Sequence, residues 1–314
     1  MRTSRRPLGP IALRVALLCV ALLALAQMSA CERSSRDAEV FTSAGVTHLQ
    51  MGQYDRAIRN FDRALSLHPG LVVAWRNRAL AHREKGDYER AIADYDQASV
   101  LAPSDARVFT ERGAAYVLLG DYRQAVRDFD RAIALKSDHA PALEQRGRTH
   151  FFLGNFAQAA ADLQRGRNFD STDASAVLWL HLARQRLRQD DREDFAAHAA
   201  AVDTAAWPAP IVQHLLGRID ADSLRTLAAL ETAARKRCIT FYLGQQALIR
   251  GDLNGATASF EQTRAECAKE SSEYKGAVAE LQRQATSDGA SAPPAHSANR
   301  STSRTGDATT TAAE

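Results

Sequence analysis

The sequence predicts an all-α chain: a right-handed solenoid of stacked helical hairpins, with an N-terminal export signal and a disordered C-terminal tail. Three observations predict it. An internal period of 34 residues runs over residues 38–171, a glycine followed by an aromatic marks one fixed point of each period, and large and small apolar residues recur in register.

The units begin at Ala38, Val72, Ala106 and Ala140. In each first helix a large residue (Phe41, Trp75, Phe109, Leu143) is followed four positions later by a small one (Gly45, Ala79, Gly113, Gly147), which lets the two helices of a hairpin approach. Gly52, Gly86, Gly120 and Gly154 end these first helices, and Tyr54, Tyr88, Tyr122 and Phe156 follow at a fixed offset. The second helices carry Ala57, Ala91, Ala125 and Ala159 at the close contact, then Phe61, Tyr95, Phe129 and Leu163 one turn later. Pro69 and Pro103 end two of them, because proline lacks an N–H donor and clashes with the preceding turn. A hairpin cannot bury its apolar face alone, so neighbours stack into one core and the first helices line a concave surface. The period and this set of positions resemble the tetratricopeptide repeat (TPR).

Over residues 172–236 the register blurs, and this stretch is expected to be a degenerate, irregular helical region. Val177 to Ala183 still reads as a buried first helix, Trp207-Pro208-Ala209-Pro210 breaks the pattern, and Asp220 is placed to cap a helix through Leu224, Leu227 and Leu230. A last repeat begins near Arg237 and, with a capping helix over Tyr274 to Gln284, occupies 237–284. From 285 to 314 the chain is Ala, Ser, Thr, Pro and Gly with almost no large apolar side chain, so it cannot offset its ordering entropy and is expected to be disordered.

Residues 1–30 read as a signal peptide, with 31–37 as a linker. Arginines are followed by twelve apolar residues, Val15 to Ala26, too few for the roughly 20 that span a bilayer. Met28-Ser29-Ala30-Cys31 resembles the lipobox of bacterial lipoproteins, which implies that Cys31 is acylated and becomes the first mature residue; ordinary secretory cleavage nearby is the alternative. Several acyl chains hold a protein at a membrane nearly permanently. Glu32, where Asp tends to mark inner-membrane retention in such lipoproteins, implies the periplasmic face of the outer membrane. The formal charge of +3 comes from this leader: without it 36 basic residues stand against 37 acidic ones, too neutral a balance to favour nucleic acid as a partner.

Two cysteines remain in the mature chain beyond Cys31. Cys238 and Cys267 fall where the TPR hairpin brings the start of its first helix beside the end of its second, so a disulfide is geometrically reasonable and an oxidising periplasm favours it; two buried free thiols are the alternative. His48, His82 and His150 recur at one repeat position where Tyr116 stands in the third unit, a pattern of packing rather than of metal ligation. No nucleophile, phosphate-loop or metal motif is present, so neither a cofactor, a metal nor a catalytic residue is expected. Partner contacts are expected on the concave face, at Arg76, Leu80, Arg83, Arg107, Thr110, Val117, Glu144, Arg148 and Phe151. Arginine beside apolar surface suits a partner's extended segment or helix, especially one carrying carboxylates; a merely solvated groove is the alternative. The lysine and asparagine clamp by which some TPR proteins grip a peptide's C-terminus is not intact, since Asn77 fits one position but Thr42, Val46 and Glu111 occupy others.

Leu178-Trp179-Leu180, the run Ile211-Val212 to Leu215-Leu216-Gly217, and Phe241-Tyr242-Leu243-Gly244 ending in Gly251-Asp252-Leu253, taken with the lipobox and repeats, resemble NlpI-type TPR lipoproteins. That resemblance covers roughly residues 31–284. It implies a lipid-anchored, non-catalytic outer-membrane adaptor, often a homodimer, that brings cell-wall hydrolases together with a processing protease or with cell-wall synthesis enzymes. The alternative is an assembly factor for an outer-membrane machine, such as a pilus secretin pilotin or a β-barrel insertase subunit.

Overall fold

A computed structural model of the chain describes residues 34–169, 174–199, 208–228 and 233–291. The export signal, Cys31 and residues 292–314 lie outside the described residues. Among the described residues every regular element is a helix. Four hairpins come first: α1 (34–50) with α2 (Tyr54–Leu67), α3 (Val72–Lys85) with α4 (Tyr88–Leu101), α5 (Ala106–Leu119) with α6 (Tyr122–Leu135), and α7 (Ala140–Phe152) with α8 (Phe156–Phe169). After them come α9 (Ala174–Arg186), α10 (Arg192–Ala199), α11 (Ala209–Leu215) and α12 (Ala221–Ala228). A last hairpin, α13 (Ala233–Ile249) with α14 (Leu253–Glu266), is followed by α15 (Ser272–Ser291). From α2 to α10, and again from α11 to α15, each helix packs on the next, which is the repeat solenoid the 34-residue period predicts.

The hairpins close for the reasons their sequences carry. Gly86 and Gly120 cap α3 and α5 at φ of 91° and 90°, a left-handed backbone that side chains with a Cβ rarely adopt. Inside the third hairpin, a Cβ on Gly113 would stand 2.6 Å from the Phe129 ring, and Phe61, Tyr95, Phe129 and Leu163 are wholly buried at this contact in successive units. The side chains of Asp105 and Asp121 accept from the backbone N–H of Arg107 and Gln124, capping α5 and α6. His82 and His150 are buried among the hairpins, as packing requires.

A second periodicity locks one hairpin to the next. Arg78, Arg112 and Arg146 stand at one repeat position on α3, α5 and α7. Each grips the aspartate sixteen residues ahead on its own second helix with Nε and Nη2, at 2.8 and 2.7 Å to Asp94, 2.8 and 2.6 Å to Asp128, and 2.7 and 2.6 Å to Asp162. Its Nη1 reaches the aspartate sixteen residues back, on the preceding second helix: Asp62 at 2.6 Å, Asp96 at 2.7 Å and Asp130 at 2.5 Å. Asp94, Asp128 and Asp162 are buried while Asp62 and Asp130 are exposed and Asp96 half-buried, so each guanidinium supplies the counter-charge without which an interior carboxylate would be costly. At the corresponding positions Ala44 and Leu180 end the ladder, where the regular array ends.

The second half packs around Trp179, wholly buried on α9, with Phe151, Phe152 and Phe241 at ring-centroid distances of 5.0, 5.6 and 5.3 Å. Asp220 accepts from the backbone N–H of Ser223 at 2.7 Å at the start of α12; Leu230 lies outside the described residues. Two boundaries and one packing arrangement differ from the sequence reading. Helix α1 already begins at residue 34, so most of the expected linker is its first turn. Helix α15 runs on to Ser291, into the expected tail, because Pro293 and Pro294 are the first residues there that forbid helix. And α15 does more than cap the last unit: it packs on α14 and α13 and also on α7, folding back against the first helices.

Candidate functional site: the concave groove

Helices α3, α5 and α7 line the concave face, and α15 fills its far part. Gly276 brings α15 against Phe241 and Trp179, where a Cβ would meet their rings at 2.6 and 3.2 Å. Glu280, 1% exposed, pairs with Arg186 of α9 and with Arg283 at 2.8 Å, and Arg283 donates to the Phe152 carbonyl of α7 at 2.8 Å. Part of the groove that the repeats alone would leave open is therefore occupied by the chain itself.

The residues expected to contact a partner divide accordingly. Phe151 is wholly buried, edge-on to Phe156 and Trp179, so α9 has turned the end of the groove into interior, while Val117, largely buried, still lines the groove's open cleft. Thr110 is buried and its hydroxyl donates to the Ala106 carbonyl at 2.9 Å, which leaves little to offer a ligand. Arg76 makes a two-point contact with Glu111 on the next first helix, Nε at 3.0 Å and Nη2 at 2.5 Å, and so ties neighbouring units. Arg107 is exposed and folds onto Asp105, the cap of its own helix. Leu80 and Arg83 are half-buried, Arg83 paired with Glu84 at 2.9 Å. Glu144 is buried, 3.7 Å from Arg148 Nη2. The arginines that composition placed on this face are thus mostly engaged with carboxylates of the same chain.

What stays open is a cleft of about 410 Å³ between the middle repeats and the turn joining α14 to α15. One wall is Arg83, Lys85 and Tyr88 of the second unit with Ala114 and Leu118 of α5, Gln145 and Arg148 of α7 form its floor, and Glu270, Ser272 and Lys275 close it. Lys275 Nζ donates to the carbonyls of Lys269 at 3.1 Å, Glu270, and Ser271 at 3.4 Å. Burial lowers this ammonium to about 8, against the pull of Glu270 and Glu273. The turn is fixed at its base by a disulfide between Cys238 of α13 and Cys267, the residue that ends α14, with Cα atoms 5.4 Å apart. Lys85, Glu270 and Lys275 had no signal in the linear pattern. The amphipathic stretch that carries Lys275 shows that it has an apolar face, not which surface that face will find.

Two family models described as tetratricopeptide repeat match residues 42–106 and 82–144, so this part of the chain is built of TPR units. No curated protein matches the sequence. Among solved structures, the fold is similar to a tetratricopeptide repeat protein from Parabacteroides merdae, 14% identical over 78% of this chain and 99% of that one, with a TM-score of 0.54. It is also similar to pilF of Pseudomonas aeruginosa, 16% identical over 81% of this chain and 99% of that one, with a TM-score of 0.51. At such identities the likeness is one of fold.

Proposed function

We propose that the chain is a non-catalytic adaptor, anchored through lipid on Cys31 at the periplasmic face of the outer membrane, that holds cell-wall hydrolases or a processing protease in its concave groove. The observation that carries this reading is the open cleft in the concave face of a TPR solenoid. Its rigid walls present backbone-anchored side chains from several units at once, a shape suited to gripping a segment of another protein. The leader and lipobox motif support the anchor, and the likeness to lipoproteins of the NlpI type supports the choice of envelope enzymes as cargo.

Two experiments test it. Crosslinking in intact cells followed by purification of the lipidated protein should recover a cell-wall hydrolase or an envelope protease; recovery of pilus or β-barrel assembly components instead would move the reading to an assembly factor. Metabolic labelling with palmitate should mark the wild-type chain and not Cys31→Ser, which should accumulate as unprocessed precursor. Continued labelling of that variant would remove the anchor from the proposal.

A further inference from the structure

The cleft has a composition its adaptor role does not require. Four cations line it, Arg83, Lys85, Arg148 and Lys275, against two carboxylates, Glu84 and Glu270. Arg83 and Lys85 are already held, by Glu84 at 2.9 Å and by Asp55 at 2.8 Å. Arg148 and Lys275 differ. Arg148 carries five donors, yet among the described residues its one carboxylate contact is Glu144 at 3.7 Å, and its buried Nε meets no acceptor there. Lys275 Nζ donates to three backbone carbonyls and, among the described residues, forms no ion pair, although the charges of Glu270 and Glu273 reach it. Buried donors of charged groups without acceptors are rare and call for a reason. Arg148, whose Nε is such a donor, comes from the fourth repeat, and Lys275, an ammonium satisfied by carbonyls alone, from the C-terminal helix; more than a hundred residues apart in sequence, they are brought to one cleft by the folding back of α15.

We propose that this cleft is a carboxylate-binding site for an acidic segment of a partner protein, with Arg148 and Lys275 as the two groups that hold the anion. Arg83 and Lys85 add the field that draws it in, and Leu118 and Tyr88 supply apolar surface for the rest of the segment. The site is composite. The repeats provide one wall, and the turn pinned by Cys238–Cys267 provides the other, so a bare array of repeats would lack it. A volume of about 410 Å³ accommodates one or two side chains rather than a whole helix.

The inference rests on the adaptor reading, but it is tested on the purified mature chain, so failure to find an envelope partner and failure of this site are separate results. The probe is fluorescent hexaglutamate, followed by anisotropy, beside hexaglutamine and hexaglutamate amidated at its C-terminus. Hexaglutamate should bind and hexaglutamine should not. Arg148→Gln and Lys275→Met should each weaken binding about tenfold or more, while Arg127→Gln, exposed on α6, should leave it unchanged. Ser272→Glu deletes nothing and places its charge at the first turn of α15, where a helix tolerates it, so it should fold and still weaken binding about tenfold. Loss of binding by the amidated peptide assigns the anion to a chain terminus; retention assigns it to side chains. Equal binding by the variants, equal binding of hexaglutamine, or full displacement by equimolar inorganic phosphate overturns the proposal.

Discussion

Arg112→Ala should loosen the third hairpin within itself and from the second hairpin at once. Arg112 holds Asp128 with two bonds of 2.8 and 2.6 Å, reaches Asp96 at 2.7 Å and Ser99 Oγ at 3.2 Å, and lies 5.5 Å from the Phe109 ring centroid. The Asp96 side chain is half accessible to solvent and will be hydrated when the guanidinium is gone; Asp128, 6% exposed, will not. Breaking a buried pair by removing one partner costs about 3–5 kcal/mol, because the remaining charge keeps its desolvation penalty and loses its compensation. The loss should depend on pH in a defined direction. Burial already raises the Asp128 carboxyl above its usual range, with Arg112 opposing, so removing the guanidinium raises it further. Between the unfolded carboxyl's pKa, near 4, and that raised value, the folded variant holds a proton the unfolded chain lacks. The variant's deficit should therefore shrink as pH falls from 7 toward 4. Urea unfolding followed by circular dichroism at both pH values measures it, and native-state hydrogen exchange should place the faster opening in α5 and α6. A deficit below about 1 kcal/mol at pH 7, or one that grows on acidification, refutes the reasoning.

Gly113→Leu should cost about 1–3 kcal/mol by forcing the Phe129 ring out of its place, read as a lower urea midpoint. Reducing the Cys238–Cys267 disulfide, which spans 29 residues, should lower the stability of the last hairpin by about 3–4 kcal/mol, seen as faster exchange of α13 and α14 with α3 to α6 unaffected. Lys275 gives a titration of opposite sense to Asp128. Its folded ammonium titrates near 8 while the unfolded one keeps its ordinary 10.5, so the unfolded chain binds the extra proton between those values. The stability of wild type relative to Lys275→Met should therefore rise with pH across that window, and a fall would contradict the burial described for this side chain.

How far the sequence led depended on what kind of contact was at stake. The hairpins were legible because each depends on a local set, such as Gly113 opposite Phe129 and Gly120 at the turn, and that set recurs every 34 residues. The arginines of the groove were legible in position but not in state. Arg76 is matched by Glu111, thirty-five residues on, and nothing in a single helix pattern shows that the two side chains meet. Arg78, Arg112 and Arg146 passed unnoticed for a related reason: their aspartates stand sixteen residues away in both directions, a spacing that acquires meaning only once the hairpins are stacked. The repeat register puts Phe151 on the groove surface, as it would be in an open array, whereas Trp179 of α9 packs edge-on against it and closes it into the interior. The largest departure lies in α15. Its amphipathic face suits the end of a solenoid as well as its concave side, and the choice is made by Gly276 against Phe241 and against Trp179, the latter about a hundred residues away in sequence.

If the chain is an adaptor of the kind proposed, the concave groove and not the outer surface holds the other protein. A photo-crosslinking amino acid placed at Leu118 in the cleft, and separately at Arg127 on the exposed face of α6, tests it in living cells. The account predicts a defined adduct with a cell-wall hydrolase or envelope protease from position 118 and none from 127; adducts from 127 alone, or the same partners equally from both, would contradict it.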